Sequence, residues 1–573
     1  LAYTLSRREL SLLITALKTA VIQEIAGMYM SCPLTDEAAI LAKNLFTTLR
    51  ELATLDFSDT LERVDKVEQL LQTDPAGVYP LMSEKSKYRY KQRIEKLAKY
   101  NGVSEIRITE RILLLAREGE GQARHVGYHL FSKPSSGRKY SAGAAAYILT
   151  LAILSLLISL FIADMTKSTA VFFLVLLPVF ELVKLLCDRI MIAFVRPSHI
   201  PRLDLTKGVP AEGRTICVIS ALLTDTDSGK KLGERLEQFW LANRDCGKNL
   251  QFGILADLTD SDTETTPNDE SVIDSARLSI DELNQKYGGG FFFFIRPRAY
   301  NKADKKYAAF ERKRGAIYAL CRLLKGESSD LDLLAGNALA LRGVKYVITL
   351  DEDTRLVPGA AGQLIGAMLH PINKPVIDEK ARLVVSGHGI IHPRMSTELS
   401  SANASGFAHF IAGQGGIDPY GADVSELYMD VFGNGGFAGK GIIDISAYLR
   451  CLSGRIPDNS VLSHDALEGA YLRGGYMSDV ELTDTFPRDA LAYFRRMHRW
   501  VRGDWQNAPW LLRRGRVLSQ IDRFRLFDSI RRSLMPPLYF ALLVLAFFFP
   551  ARSFTAAALV AVVSLFAQLL SSC

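Results

Sequence analysis

Tyr346-Val-Ile-Thr-Leu-Asp351-Glu-Asp353-Thr354 is an apolar, partly β-branched run that stops abruptly at two aspartates flanking a glutamate. Its length and composition predict a buried strand. A strand that delivers Asp-x-Asp to its carboxyl end places hard oxygen ligands where a divalent cation and a diphosphate can be held together. Acidic triplets at strand ends also solvate turns and cap helices, so the surrounding sequence has to separate the two readings.

Working outward, Thr215-Ile-Cys-Val-Ile219, Gln251-Phe-Gly-Ile-Leu255, Phe291-Phe-Phe-Phe-Ile295, Val344 to Leu350 and Ala381 to Ser386 read as strands, with helical patterns between them at Gly233 to Ala242 and Lys313 to Leu324. Continuous apolar strands alternating with helices imply an α/β fold, a mostly parallel sheet covered on both faces. Ligands in such sheets bind outside the carboxyl ends of the strands. Asp257, after the second strand, and Asp351 with Asp353, after the fourth, fall there. The rest of the acidic stretch Asp257 to Glu270 reads as a solvated loop. The basic stretch from Arg296 to Gly315 has two open readings, a helix with an exposed charged face or a clamp for a diphosphate.

A chain of 573 residues is too long for one core. Residues 1 to 140 carry apolar residues at helical spacing and no catalytic constellation, so they are expected to form an N-terminal cytosolic helical region. Ala142 to Ala163 and Val171 to Val195 have the length and apolarity of membrane spans, as do Leu534 to Phe549 and Phe554 to Leu570. Lys133, Arg138, Lys139, Arg196, Arg202, Arg531 and Arg532 flank them on one side, which predicts two hairpins with the block between them in the cytosol. Glu181 and Lys184, one turn apart in the second span, read as a pair near the interface. Residues 521 to 533 read either as an amphipathic helix in the headgroup region or as an ordinary surface helix leading into a span. The expected organisation is therefore 1–140, 141–195, 196–520, 521–533 and 534–573. A start at Leu1 and an end at Cys573 just after an apolar run lead to the expectation of a fragment of a longer protein.

Cys32, Cys187, Cys217, Cys246, Cys321, Cys451 and Cys573 are scattered without paired or metal-type spacing, which favours a reducing environment for the soluble mass. A formal charge of +7 with no aromatic-interleaved basic repeat argues against nucleic acid and for a membrane surface as partner. His388 and His392 have no acidic neighbour and read as packed rather than ligating.

Three further patches follow in order: Gly433-Asn-Gly-Gly-Phe437-Ala-Gly-Lys440-Gly441, Ser463-His464-Asp465-Ala-Leu-Glu468-Gly469, and Arg496-Met-His-Arg499-Trp500-Val-Arg502-Gly503. Together with the aspartate triplet they resemble the membrane-bound, inverting polysaccharide synthases of the glycosyltransferase-A type. More narrowly, Leu203 to Pro210, Glu311 to Gly315, Leu350 to Thr354, Gly439 to Ile442 and Ser463 to Gly469 are similar to the glycosyltransferase domain of cyclic β-1,2-glucan synthases. The likeness covers about residues 200 to 510 and extends more faintly to Gly102 to Glu110 and the first hairpin. Arg496 departs from it, standing where the wider class has glutamine, as do Phe437 and Ile443, where tyrosine is expected.

The resemblance implies a glycosyltransferase-A-type (Rossmann-like) domain inserted between transmembrane hairpins in a bacterial inner membrane. It implies transfer of glucose from UDP-glucose, with inversion, to a growing protein-linked β-1,2-glucan that is later cyclised by this polypeptide with further C-terminal domains. In that scheme Asp465 is the base, Asp353 and Asp351 hold Mg²⁺ or Mn²⁺, and Asp257, Arg312, Lys313, Arg314, Asp351, Arg499 and Arg502 bind the donor. Trp500 faces the acceptor, and His464 either meets the acceptor or orients its loop. Tyr420, in the loop Gly413 to Gly421, is the expected priming hydroxyl, with Tyr428 in reserve. The competing expectations are a linear processive synthase of the cellulose or hyaluronan kind, and a non-catalytic sugar-binding module beside a transporter.

Overall fold

The computed structural model describes residues 65–131, 142–195, 197–302, 305–412, 426–462, 464–512, 517–548 and 552–572, with short helical pieces before residue 51. The chain divides into two units, 1–133 and 134–573.

In the first unit, the helices Lys66–Leu71, Glu84–Asn101, Glu105–Glu118 and Val126–Phe131 pack around Leu71, Tyr79, Tyr90, Ile94 and Val126. At its centre Asp74 accepts hydrogen bonds from the backbone N–H groups of Val78, Tyr79 and Val126 and meets His125 Nδ1 at 2.8 Å. His125 Nε2 in turn lies 2.9 Å from the Tyr90 hydroxyl. Burial would raise the Asp74 carboxyl, but His125 and the backbone donors outweigh it and hold the group below the usual carboxylate range. The trio is sealed from solvent and acts as the polar core of this unit.

The second unit contains strands β1 (Thr215–Leu223), β2 (Leu250–Leu258), β3 (Phe291–Arg296), β4 (Ala299–Asn301), β5 (Lys306–Ala308), β6 (Asp332–Ala335), β7 (Tyr346–Asp351), β8 (Thr354–Leu356), β9 (Val376–Asp378), β10 (Leu383–Ser386), β11 (Ile390–Thr397), β12 (Gly441–Asp444) and β13 (Gly475–Asp484). Nine of them form one sheet in the order β6-β3-β2-β1-β7-β12-β11-β13-β8. The central β3, β2, β1 and β7 are parallel and buried on both faces, as their unbroken apolar runs require. The strand order reverses beside β1, and a crevice at the carboxyl ends of β1 and β7 is the consequence. Leu383–Ser386 does not join this sheet; it pairs with β9 in a separate antiparallel ribbon. The mixed half of the sheet, β12, β11, β13 and β8, has partly polar strands and a bulge between Pro393 and Arg394. It is held by pairings between segments far apart in the chain, and local pattern carries no trace of such pairings.

Three helices, Ala142–Thr166, Thr169–Phe194 and Gln520–Phe548, are long and apolar enough to cross a membrane. The helix Arg552–Ser572 packs against the second and third of them. Large apolar side chains such as Leu157, Phe161, Phe173, Phe540 and Phe547 face outward. Where the sequence suggests a separate helix at 521–533, the structure has one continuous helix into the span. Ile521, Phe524, Leu526 and Ile530 are buried within the unit, while Phe527 and Leu534 stay exposed, so the face is covered by protein only in part. Glu181 pairs with Arg531 of that helix, whereas Lys184 bonds Asp188 at 2.7 Å. Arg531 also holds Asp528 at 2.7 Å, and the Tyr147 hydroxyl donates to Asp188 at 2.6 Å. Buried charges need partners, and here they find them across helices rather than along one.

Candidate active site

β7 presents Asp351 at the switch point, and two lysines converge on it. Lys313, from the first turn of the helix Arg312–Leu324, meets Oδ1, and Lys440 lies 3.1 Å from Oδ2. The register explains Lys440: Gly441 pairs with Thr349 across the antiparallel β12–β7 ladder, so the preceding residue arrives beside the strand end. Lys440 also bonds Asp484, the last residue of β13, whose other oxygen accepts from Thr354 Oγ1 at 2.7 Å. Burial would raise the Asp351 carboxyl, but the two lysines overcome it and hold the group well below the usual carboxylate range. Asp484 is raised, because burial there exceeds what Lys440 returns. Asp353 accepts a hydrogen bond from Arg496 Nη2 at 2.7 Å. The arginine that stands in place of glutamine is thus a direct partner of the Asp-x-Asp motif.

Asp257 receives both forks of Arg296, at 2.9 and 2.8 Å, and burial still raises its carboxyl. The same guanidinium bonds the carbonyls of Phe310 and Arg312 and so ties the basic patch to the sheet. Gly315 packs against this arrangement: a β-carbon there would sit 2.2 Å from Phe310 O and 2.4 Å from Arg296 Nη1. Glu311 and Arg312 both take left-handed φ values, 56° and 46°, and the turn sends the three basic residues in different directions. Arg314 is buried against Glu311, Arg312 reaches Asp260 at 2.8 Å, and only Lys313 reaches Asp351. The acidic loop beyond Asp257 is likewise organised, with Arg298 bonding the carbonyls of Thr259 and Glu264 and gripping Asp269.

Asp465 opens the helix Asp465–Leu472 with its carboxylate against Gly439, the residue before Lys440, so carboxylates distant in sequence are brought to the same strand end. Burial raises its carboxyl, His464 opposes that shift and Glu468 adds to it. Glu468, almost wholly buried, lies 3.0 Å from His464 Nδ1 and accepts from the Tyr448 hydroxyl at 2.6 Å. Burial disfavours a charged imidazole, yet Glu468 reverses the balance and His464 is raised. One ligand atom each from His464, Asp465 and Glu468 lies within 4.8 Å of the others, a second donor set of metal-binding type. In this structure His464 and Glu468 are paired with each other beside Asp465. A β-carbon on Gly439 would sit 2.9 and 3.1 Å from the Asp465 oxygens, and its φ of +77° already disfavours a side chain. Gly439→Ala is therefore expected to displace the carboxylate and cut turnover on the order of 100-fold while leaving secondary structure unchanged, readable by initial rates beside circular dichroism.

The helix Ala490–Gln506 carries Arg496 and Arg499 into a cavity of about 820 Å³, lined also by Phe486, Pro487, Phe494 and His498. Trp500 and Arg502 are not part of that lining. Tyr420 and Ser463 lie outside the described residues. Tyr428, 2% exposed, is packed with the membrane helices and is not accessible as a priming hydroxyl in this conformation. His388 and His392 bond the Arg473 and Pro393 carbonyls, and burial lowers them to about 3 and about 4, so both are neutral packing groups.

Lys440, Asp484 and Tyr448 have no assigned role in the sequence reading, and Arg296, read there as part of a basic stretch open to a diphosphate-clamp role, is committed to Asp257. Asp484 had a signal, since Val480-Glu-Leu-Thr-Asp484 is another strand ending in an aspartate. Lys440 and Tyr448 acquire meaning only through partners distant in sequence.

No protein-family model matches the chain. Over 544 residues, 88% of the chain, it is 33% identical to the cyclic beta-(1,2)-glucan synthase NdvB of Rhizobium meliloti (strain 1021). The chain spans 19% of the length of that relative. The resemblance carried by a few short patches thus extends over nearly all of the sequence, and the chain is a homologue of one segment of that synthase.

Proposed function

We propose that this chain is the membrane-anchored glucosyltransferase part of a cyclic β-1,2-glucan synthase, with a glycosyltransferase-A-type block facing the cytosol of a bacterial inner membrane. The reading takes UDP-glucose as donor and a protein-linked glucan as acceptor, and it assigns cyclisation to further domains of the longer polypeptide. One observation carries it: Asp351 at the carboxyl end of β7, two residues before Asp353, holds Lys313 and Lys440, and the Asp465 carboxylate packs on Gly439 next to Lys440. The strand order β3-β2-β1-β7 followed by antiparallel β12 supports the same fold.

In this reading Asp465 takes the proton of the attacking glucan hydroxyl as its oxygen bonds to the anomeric carbon. The bond from that carbon to the diphosphate oxygen breaks on the opposite face, which inverts the configuration. Lys313, Lys440 and Arg499 face the charge that gathers on departing UDP. Asp351 and Asp353 are partly exposed carboxylates at a strand end, a donor set suited to Mg²⁺ or Mn²⁺. Such an ion, when bound, would add positive charge at the leaving diphosphate. Asp257 and Arg296 form a charged wall beside the donor base. Tyr420 is retained as the priming hydroxyl.

The test is incubation of the purified full chain in membranes with labelled UDP-glucose and Mg²⁺ or Mn²⁺, followed by linkage analysis. β-1,2-linked glucose that remains with the protein on denaturation is the expected result. A β-1,4 product would replace this reading with that of a linear synthase.

A further inference from the structure

Glu311 leads into the helix Arg312–Leu324 with φ 56° and ψ 16°, and Arg312 follows at φ 46°. Two successive residues with side chains in the left-handed region persist only where their surroundings hold them. Arg296 grips this turn from one side, through the Phe310 and Arg312 carbonyls. On the other side the Glu311 side chain, 8% exposed, is itself the tie. One of its oxygens accepts from Arg314 Nη1, and the other accepts from the backbone N–H of Asn459 at 2.9 Å. Asn459 is left-handed as well, at φ 56°, in a turn closed by the Ser460 N–H on the Pro457 carbonyl at 3.2 Å. Val461 then enters the same apolar cluster as Ala316, Ile317 and Leu467, and the chain runs on to His464 and Asp465.

These contacts close a ring. Lys313, two residues after Glu311, meets Asp351, and Asp351 meets Lys440. The Asp465 carboxylate packs on Gly439, next to Lys440, and the chain from Asp465 back to Asn459 returns to Glu311. We propose that Glu311 is a positioning residue, whose carboxylate fixes in one spacing the lysine that faces the donor diphosphate, Lys313, and the base that faces the acceptor hydroxyl, Asp465. An ordinary helix cap does not account for this carboxylate, which makes no capping bond to its own helix and reaches a segment 148 residues away. Opening the ring at Glu311 leaves two left-handed turns without the group that ties them together, so both ends are free to relax toward commoner backbone conformations. The effect on turnover rests on the glucosyltransferase reading; the ring of contacts is independent of it.

The experiment compares two double variants of the full chain in nanodiscs, Glu311→Gln with Arg314→Met and Glu311→Met with Arg314→Met. Both remove the buried ion pair whole, so neither strands a guanidinium, and only the glutamine still offers an oxygen to the Asn459 N–H. At equal melting temperatures the glutamine variant should incorporate glucose about 30-fold faster than the methionine variant, because misplacing reacting groups by about 1 Å costs on the order of 100-fold. UDP affinity, read by calorimetry, should be about tenfold weaker in the methionine variant. In a Lys313→Met background that affinity difference should vanish, since Glu311 acts on the donor through Lys313, while the rate difference should persist. Equal rates in the two double variants overturn the proposal, as does a rate loss that only follows the loss of folded protein in the melts. Wild-type chain that binds UDP but incorporates no glucose removes the enzymatic reading instead; a tenfold affinity difference then still sustains the tie to Lys313, and equal affinities overturn it.

Discussion

Asp465→Asn is expected to lower glucosyl incorporation by roughly 10²- to 10⁴-fold, the range lost when a positioned general base is removed. UDP-glucose binding should be little changed, because the ion pairs of Asp351 with Lys313 and Lys440 do not include Asp465. The variant should not be less stable. Burial raises the Asp465 carboxyl above its unfolded value, so the folded state binds more protons as pH passes that window, and stability falls with rising pH. At neutral pH the ionised group is a net cost, and asparagine removes it. A melting temperature equal to or above that of the wild type, with turnover lost, separates chemistry from unfolding. The same raised carboxyl places the acid limb of the rate above the ordinary carboxylate range. His464→Gln removes the imidazolium that opposes the shift, so the limb should move to higher pH. An unchanged limb would remove His464 from this role, and near-normal incorporation by Asp465→Asn would remove the base.

Lys440→Met is the second large effect. This lysine sits between Asp351 and Asp484 with its side chain 12% exposed, and burial would lower its basicity were the carboxylates not there to raise it. Removing one member of a buried ion group leaves the others uncompensated, at about 3 kcal/mol, the low end of the range because Asp351 keeps Lys313 and part of its exposure. Asp351 should return toward ordinary carboxylate behaviour. Its depressed value now contributes stability that is present above the unfolded value and lost as pH falls through the folded one, so the variant should lose part of that acid-side dependence. A hydrogen bond to a charged group is worth about 1.5–3 kcal/mol, so UDP affinity should fall by roughly 10- to 100-fold. Calorimetry with UDP and thermal melts of the purified protein read the two effects separately. Wild-type UDP affinity would exclude Lys440 from the donor site.

Much of the central sheet is legible in the chain. The unbroken apolar runs of β1, β2, β3 and β7 announce strands buried on both faces, and the sudden aspartates place the site at their ends. The apolar spans are equally direct, since bilayer length and hydropathy are local quantities. The basic patch was not decided by its sequence. Arg312, Lys313 and Arg314 are adjacent and chemically alike, and two left-handed residues at its start select Lys313 for Asp351 while burying Arg314 against Glu311. Arg496 shows the same limit from another direction: an arginine in place of the glutamine of the wider synthase class acquires a meaning only from Asp353 beside it.

What the sequence determined by itself is therefore the periodic and the local: which segments form the central parallel strands, which helices are long and apolar enough to cross a bilayer, and that acidic groups end a buried strand. Only the tertiary structure decided which cations meet those acids, and that Glu468 and Tyr448 stand behind His464 and Asp465. The reason is physical: a strand or span is set by neighbours a few residues away, whereas an ion pair is set by sheet register and backbone turns that join segments far apart.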